Sequence, residues 1–204
     1  LNAFDCAYIF ASTEKIHFVP GQFFRLKKIG DNDKNTRAFS AASAPDSSHI
    51  TFLMKNIPTG IISGFLNTAP KGTEIEASEP LGKFLLAPQD EHHVYIATGT
   101  GLAPIMSFLE SSPASGAQLL FGVHDEEHLL WRDKLPSNAY ITVSHPSNTW
   151  TGLQGRVTDH LDTVTKKIEH TGFYVCGNPE MVIEVRKKLL EKGVSPHDIH
   201  FEIY

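Results

Sequence analysis

The stretch Gly99-Thr100-Gly101-Leu102-Ala103-Pro104 follows an apolar run over 93–97 and opens an apolar helical pattern over 102–110. Few folds accept that order. Glycine permits the sharp turn and lets a pyrophosphate come close to the backbone, while Pro104 suits a first helical turn, where its missing amide has no partner anyway. Glycine-rich loops recur in unrelated chains, so the placement between strand and helix carries the inference. It predicts a dinucleotide-binding turn at the edge of a parallel sheet.

The surrounding pattern agrees. Strands are predicted over 93–97, 117–123, 139–144, 173–176 and 200–203, alternating with helices over 102–110, 126–134, 156–161 and 179–192. Such alternation implies a parallel sheet with helices on both faces. Residues before Pro88 read differently, as short strands over 4–10, 23–29, 37–42, 49–55 and 73–78 with one short helix over 61–68. Turn residues punctuate them at Pro20-Gly21, Gly30 to Asn35, Ala44-Pro45-Asp46, Pro58-Thr59-Gly60 and Lys71-Gly72, the spacing of a small barrel. A chain of 204 residues can bury two such cores. The expected architecture is therefore an antiparallel β-barrel domain over 1–88 followed by a doubly wound α/β domain over 93–204.

Net charge is −5, which argues against nucleic acid as a partner. Two cysteines are too few for a four-thiolate iron-sulfur cluster or a disulfide framework, so a cluster would have to sit on a partner. No apolar run approaches the roughly 20 residues that span a bilayer. The N-terminus shows no basic segment followed by an apolar core, so a cytoplasmic address is expected. The chain opens at Leu1 rather than Met, and a preceding strand is compatible with that start.

Several segments carry candidate chemistry. Arg37-Ala38-Phe39-Ser40-Ala41-Ala42-Ser43 sets a cation, a ring and a hydroxyl on one strand, suited to gripping a diphosphate beside a packed ring; a plain barrel strand with one solvated arginine fits equally. Pro58-Thr59-Gly60-Ile61-Ile62-Ser63 turns into a helix and leaves unpaired backbone donors, an anion site or an ordinary cap. Tyr174-Val175-Cys176-Gly177-Asn178-Pro179 repeats the strand-glycine-helix design. It brings Cys176 to the carboxyl edge of the sheet, either as a site residue or as a buried small hydrophobe. The ending His200-Phe201-Glu202-Ile203-Tyr204 puts a carboxylate and a phenol on one face of a terminal strand.

Taken in order, Arg37-x-Phe39-Ser40 with Ser43, Gly60-x-x-Ser63, Gly99-Thr100-Gly101-x-Ala103-Pro104, Tyr174-x-Cys176-Gly177 and Phe201-Glu202-Ile203-Tyr204 resemble the ferredoxin-NADP reductase superfamily. Lesser matches at Pro20-Gly21-Gln22-Phe23, Pro80-Leu81-Gly82-Lys83-Phe84, Leu129-Leu130-Trp131-Arg132 and Gly152-x-x-Gly155-Arg156-Val157 extend the likeness over nearly the whole chain. The resemblance implies an oxidoreductase with FAD on the barrel and NADH or NADPH on the α/β domain. It assigns Arg37 to the FAD diphosphate, Phe39 to one flavin face, Ser40 to flavin N5, and Met54, Lys55, Gly60, Ile62 and Ser63 to the rest of the FAD site. Tyr204 would cover the other flavin face. Thr100, Gly101, Pro104, Asp125, Ser144, His145, Cys176 and Gly177 would meet the dinucleotide. Ser40, Cys176, Glu202 and Tyr204 would be the catalytic set, Glu202 either relaying a proton or orienting Ser40.

Family members that prefer NADPH commonly carry an arginine after the serine that follows the third strand, and here the pair is Ser144-His145. Carboxylates at Asp125, Glu126 and Glu127 would repel a 2′-phosphate, so the expectation inclines to NADH, although His145 with Arg132 would also make a phosphate site and the same run also suits a helix start. The implied partner is a ferredoxin, a flavodoxin or an oxygenase component, met by a lysine rim drawn from Lys27, Lys28, Lys55, Lys71 and Lys83. Two other readings stay open: a reductase that uses free flavin as substrate, and an electron-relay subunit active only inside a complex.

Overall fold

The computed structural model describes residues 5–11, 16–45, 49–111, 116–129 and 131–204. Five antiparallel strands come first: β1 (Asp5–Ala11), β2 (Phe23–Lys28), β3 (Arg37–Ser40), β4 (His49–Lys55) and β5 (Ile75–Ala77). β1 pairs with β4, and β2 lies between β3 and β5. An isolated bridge between Ala41 and Phe52 joins the two sheets, and one between Phe23 and Leu81 extends the second. Alternation along β4 explains its nearly continuous apolar run. Ile50, Phe52 and Met54 face a core with Phe24, Leu26 and Ile62, whereas Leu53 points the other way into a second core. The helix α1 (Ser63–Thr68) closes the first core with Leu66.

Six parallel strands follow: β6 (His92–Thr98), β7 (Gln118–Val123), β8 (Tyr140–Val143), β9 (Leu153–Gln154), β10 (Thr171–Gly177) and β11 (Ile199–Ile203). Their spatial order is β11-β10-β6-β7-β8-β9. The helix α2 (Leu102–Ser111) packs Leu102, Ile105 and Phe108 on one face against Tyr95, Phe121 and Tyr174. On the other face α3 (Pro179–Glu191) packs Val182, Val185 and Leu189 against Val94, Ile96 and Val175. Burial on both faces is why these strands read as unbroken apolar runs.

Two predicted helices differ. Residues 126–134 form two 3-10 turns, Glu126–His128 and Arg132–Lys134, rather than one helix. Asp125 caps the first by accepting from the backbone of Glu127 and His128, and Trp131 at φ 56° is left-handed, which a right-handed helix cannot pass through. Residues 156–161 likewise become the 3-10 turns Val157–Asp159 and Leu161–Thr163. The strand β9 was not foreseen, since two residues show no period of two. Phe4, Asp46 and Leu130, each part of a sequence expectation above, lie outside the described residues. Among the described residues no helix is long and apolar enough to cross a membrane.

Ties run between the two halves. The Ser107 hydroxyl of α2 donates to the Ser43 carbonyl at 2.8 Å, and Phe84 sits in the core that α2 and β10 share. At the polar stretch before β6, the Tyr174 hydroxyl donates to the Asp90 carboxylate at 2.6 Å and accepts from the Ala87 amide at 2.7 Å. His200 stacks on Tyr174 with centroids 4.5 Å apart and reaches the same Asp90 oxygen at 3.2 Å.

Candidate active site

Two clefts flank the junction of the antiparallel and parallel sheets. The first, about 780 Å³, takes its walls from β3, β4, α1 and the C-terminal strand. Arg37, Phe39, Ser40, Met54 and Lys55 line it, as do Gly60, Ile62, Ser63 and Tyr204. All nine residues expected at an FAD site thus share one cavity. The Arg37 guanidinium is anchored by the carbonyls of Thr36 at 2.7 Å and Lys34 at 3.3 Å, which keeps a fixed cation at the rim. Across from it the α1 turn is tight: a Cβ on Gly60 would come within 2.4 Å of the Ser63 hydroxyl oxygen. The Gly64 amide closes the turn on the Gly60 carbonyl, so the amides of residues 61 to 63 precede the first helical bond and stand as donors. A cation, unpaired amides and an apolar floor suit a ligand with a diphosphate and a flat ring system, so these residues fit FAD.

At the cleft's inner end four side chains converge. The Ser40 hydroxyl donates to Glu202 Oε1 at 3.1 Å. The Tyr204 hydroxyl and the Cys176 thiol lie close enough that each shifts the other's proton affinity. Register explains the meeting, because Cys176 pairs directly with Glu202 on β11, and Tyr204 follows two residues on with its amide bonded to the Gly177 carbonyl. Burial pushes the Glu202 carboxyl above its ordinary value, and the Ser40 hydrogen bond partly opposes that rise. Burial, then the Glu202 charge, pushes the Cys176 thiol well up, against a hydrogen bond from Tyr204. Cys176 is therefore a neutral buried thiol rather than a thiolate nucleophile.

The second cleft, about 730 Å³, opens over the carboxyl ends of the parallel strands. Thr100, Gly101, Ser144 and Gly177 line it. Gly101 is obligatory, as a Cβ there would lie 2.3 Å from the Cys176 carbonyl oxygen. Open glycine backbone facing a groove at strand ends fits a dinucleotide pyrophosphate. Of the other expected residues, Pro104 and Cys176 lie buried behind the wall, and Asp125 and His145 stand outside it. Asp125 is turned to its own loop, accepting from His124 at 3.1 Å and His128 at 2.6 Å. Burial works to raise it, but those imidazoles hold its carboxyl below the usual range. Glu126 is likewise held by Ser147 at 2.5 Å. Sequence reasoning missed His124, His128, Arg156 and Thr158 in this wall, and Leu53 and His200 in the first, where Lys83 was expected only as part of a lysine rim. Arg156 and His200 stood in segments already singled out, Gly152-x-x-Gly155-Arg156-Val157 and the ending from His200 to Tyr204.

The two clefts share Lys55, Thr100 and Tyr204. Of the expected lysine rim, Lys55 and Lys83 line the first cleft. Lys27 is instead paired with Asp33 at 2.8 Å and Glu76 at 3.0 Å, and Lys28 lies 4.9 Å over the Phe65 ring. Two nucleotide-sized clefts meeting at a common wall define a protein that brings two nucleotide cofactors together.

Comparison with known proteins gives that class a family. Residues 8–85 match the oxidoreductase FAD-binding domain and residues 95–187 the oxidoreductase NAD-binding domain. Ferredoxin-NADP reductase B of Sorangium cellulosum is 30% identical, over 92% of this chain and 85% of its own length. The 2-halobenzoate 1,2-dioxygenase electron transfer component of Burkholderia cepacia is 32% identical over 93% of this chain. The chain spans about 60% of the length of that relative and of the toluate 1,2-dioxygenase component of Pseudomonas putida. A crystal structure of a ferredoxin NADP+ reductase from Neisseria gonorrhoeae with bound FAD and NADP superposes with a TM-score of 0.86 at 25% identity, covering 98% of this chain and 93% of that one. The chain belongs to the ferredoxin-NADP reductase family of oxidoreductases, and its cofactors are FAD and a nicotinamide dinucleotide.

Proposed function

We propose that the chain is a flavoprotein reductase that moves a hydride between NAD(P)H and FAD and single electrons to or from a small redox protein. Residues 1–88 would form its FAD domain and 93–204 its dinucleotide domain. The observation that carries this reading is the wall common to both clefts, at Lys55, Thr100 and Tyr204, since hydride transfer needs donor and acceptor in contact. FAD, when bound, supplies the exchange between two-electron and one-electron chemistry. Arg37, with the amides ahead of α1, binds the diphosphate. Phe39 and Tyr204 are flat walls for the ring system. Ser40 presents its hydroxyl to the reacting edge, and Glu202 Oε1 holds that hydroxyl's proton in a hydrogen bond. Burial raises the proton affinity of Glu202, so it can also hold a proton itself near the seam. Thr100 and Gly101 seat the dinucleotide, and Cys176 backs the glycine turn as packing.

For the dinucleotide we favour NADH, because no arginine or lysine stands between Ser144 and Trp150 to meet a 2′-phosphate. The acidic loop is not the reason, as Asp125 and Glu126 are engaged within it. For the acceptor we favour a ferredoxin, a flavodoxin or an oxygenase component, on the strength of relatives that are themselves electron transfer components. Anaerobic stopped-flow mixing of the purified protein with NADH and NADPH tests the proposal. The expected result is a yellow, flavin-loaded protein whose absorbance bleaches faster with NADH. A colourless protein that reduces only added riboflavin would instead make it a reductase of free flavin, and a bound flavin that neither dinucleotide bleaches would leave it a relay subunit.

A further inference from the structure

Where β7 leaves the sheet, the sequence His124-Asp125-Glu126-Glu127-His128 sets two imidazoles around one carboxylate. Ligand atoms of His124, Asp125 and His128 lie within 4.8 Å of one another. His128 Nδ1 is 2.6 Å from Asp125 Oδ1, and His124 Nδ1 is 3.1 Å from Oδ2. Two donors bound to one ion at about 2.1 Å sit roughly 3.0 to 3.4 Å apart, so His124 already stands at the spacing of a coordination edge with the carboxylate, while His128, hydrogen-bonded to it, has to draw back by roughly half an ångström to share an ion. The backbone holds this arrangement. Asp125 Oδ1 accepts from the amides of Glu127 at 3.0 Å and His128 at 3.3 Å, and the His145 amide donates to the His124 carbonyl at 2.7 Å. His145 then stacks on His124 with centroids 4.1 Å apart, adding a third imidazole at the mouth.

Two imidazoles and one carboxylate with the remaining positions open is a donor set for a divalent transition metal, and imidazole selects against Mg²⁺. The flanking Glu126 and Glu127 favour a cation in their field. His124 and His128 also line the second cleft beside Ser144. We propose that His124, Asp125 and His128 bind one zinc-type divalent ion, and that the ion closes this end of the cleft to a dinucleotide. The metal site rests on the ligand set itself, and the closure rests also on the proposed reading of this cleft as the dinucleotide site.

Isothermal titration of the flavin-loaded protein with ZnCl₂, in buffer free of chelators, tests it. One Zn²⁺ should bind per chain where MgCl₂ gives no heat. Co²⁺ in its place should show the visible bands of a nitrogen- and oxygen-ligated ion. His128→Gln and His124→Gln should each weaken Zn²⁺ by about tenfold or more, because each removes a ligand, whereas His197→Gln, on a distant exposed turn, should leave it unchanged. Dinucleotide titrated into Zn²⁺-loaded protein should bind more weakly than into metal-free protein. Zn²⁺ affinity that survives both His124→Gln and His128→Gln, or is lost equally in His197→Gln, overturns the site. Equal dinucleotide affinity with and without bound Zn²⁺ overturns the closure.

Discussion

At the scale of single residues, Glu202 is the group whose environment and role are most tightly joined. Its carboxyl is held above the ordinary value of 4.5 mainly by burial, so the folded state binds its proton more firmly than the unfolded chain does. The contribution to stability is therefore complete below that ordinary value and disappears as pH rises through the raised one. Glu202→Gln removes the titration while keeping an acceptor for Ser40. Denaturant unfolding from about pH 4 to about pH 8 should show the variant gaining stability relative to the natural protein as pH rises. A difference that stays flat with pH would mean that Glu202 titrates alike in both states. Gly101 is the other residue without freedom, because its missing side chain is what lets the turn lie on the Cys176 carbonyl.

At the scale of elements, β11 depends on the stretch that joins the two halves. Its His200 is two residues from Glu202, and it is held by Asp90, whose side chain is only 3% exposed. Tyr174 on the neighbouring β10 supplies that carboxylate with its closest hydrogen bond. Burial raises the Tyr174 phenol far above its usual range, so it stays protonated and donates. Tyr174→Phe keeps the ring stack and deletes the donor, leaving Asp90 and the Ala87 amide short of a partner. The expected loss is about 1 to 3 kcal/mol, read as a lower denaturant midpoint with an unchanged slope. No loss would show that water replaces the hydroxyl there.

At the scale of the whole molecule, each half has a core of its own and a further core joins the two. Ala42, Leu53 and Phe84 from the antiparallel part enter the same core as Tyr95, Phe108 and Tyr174 from the parallel part. The Phe108 ring, fully buried, stands 5.5 Å from Phe84 and 5.7 Å from Tyr174. Unfolding should accordingly be one transition, and Phe108→Ala should shift it by about 3 to 5 kcal/mol without splitting it. Circular dichroism, which sees all the strands, and the fluorescence of Trp131 and Trp150, which sees the parallel part, should move together. Two separated transitions would show that the halves fold apart.

What could be read without coordinates was whatever repeats along the chain. The strands of the α/β part and the turns at Gly99 to Pro104 and Gly177 follow local rules: a period of two, a glycine where backbone must approach, a proline where no amide is needed; the nine residues that share the first cleft were assigned through the family resemblance. The 3-10 turns after Asp125 and Arg156 were mistaken for helices because apolar spacing cannot register a side-chain cap or a left-handed Trp131. The two-residue β9 was too short to show a period. His124, His128, Lys83 and His200 reached the cleft walls through the packing of elements far apart in sequence, whereas Asp125 is held in its own loop by side-chain hydrogen bonds that hydrophobic period does not register. Local backbone preference and hydrophobic period are carried by neighbours along the chain and so are legible there. Which side chains meet at the seam depends on packing and register between strands, and only the assembled fold decides that.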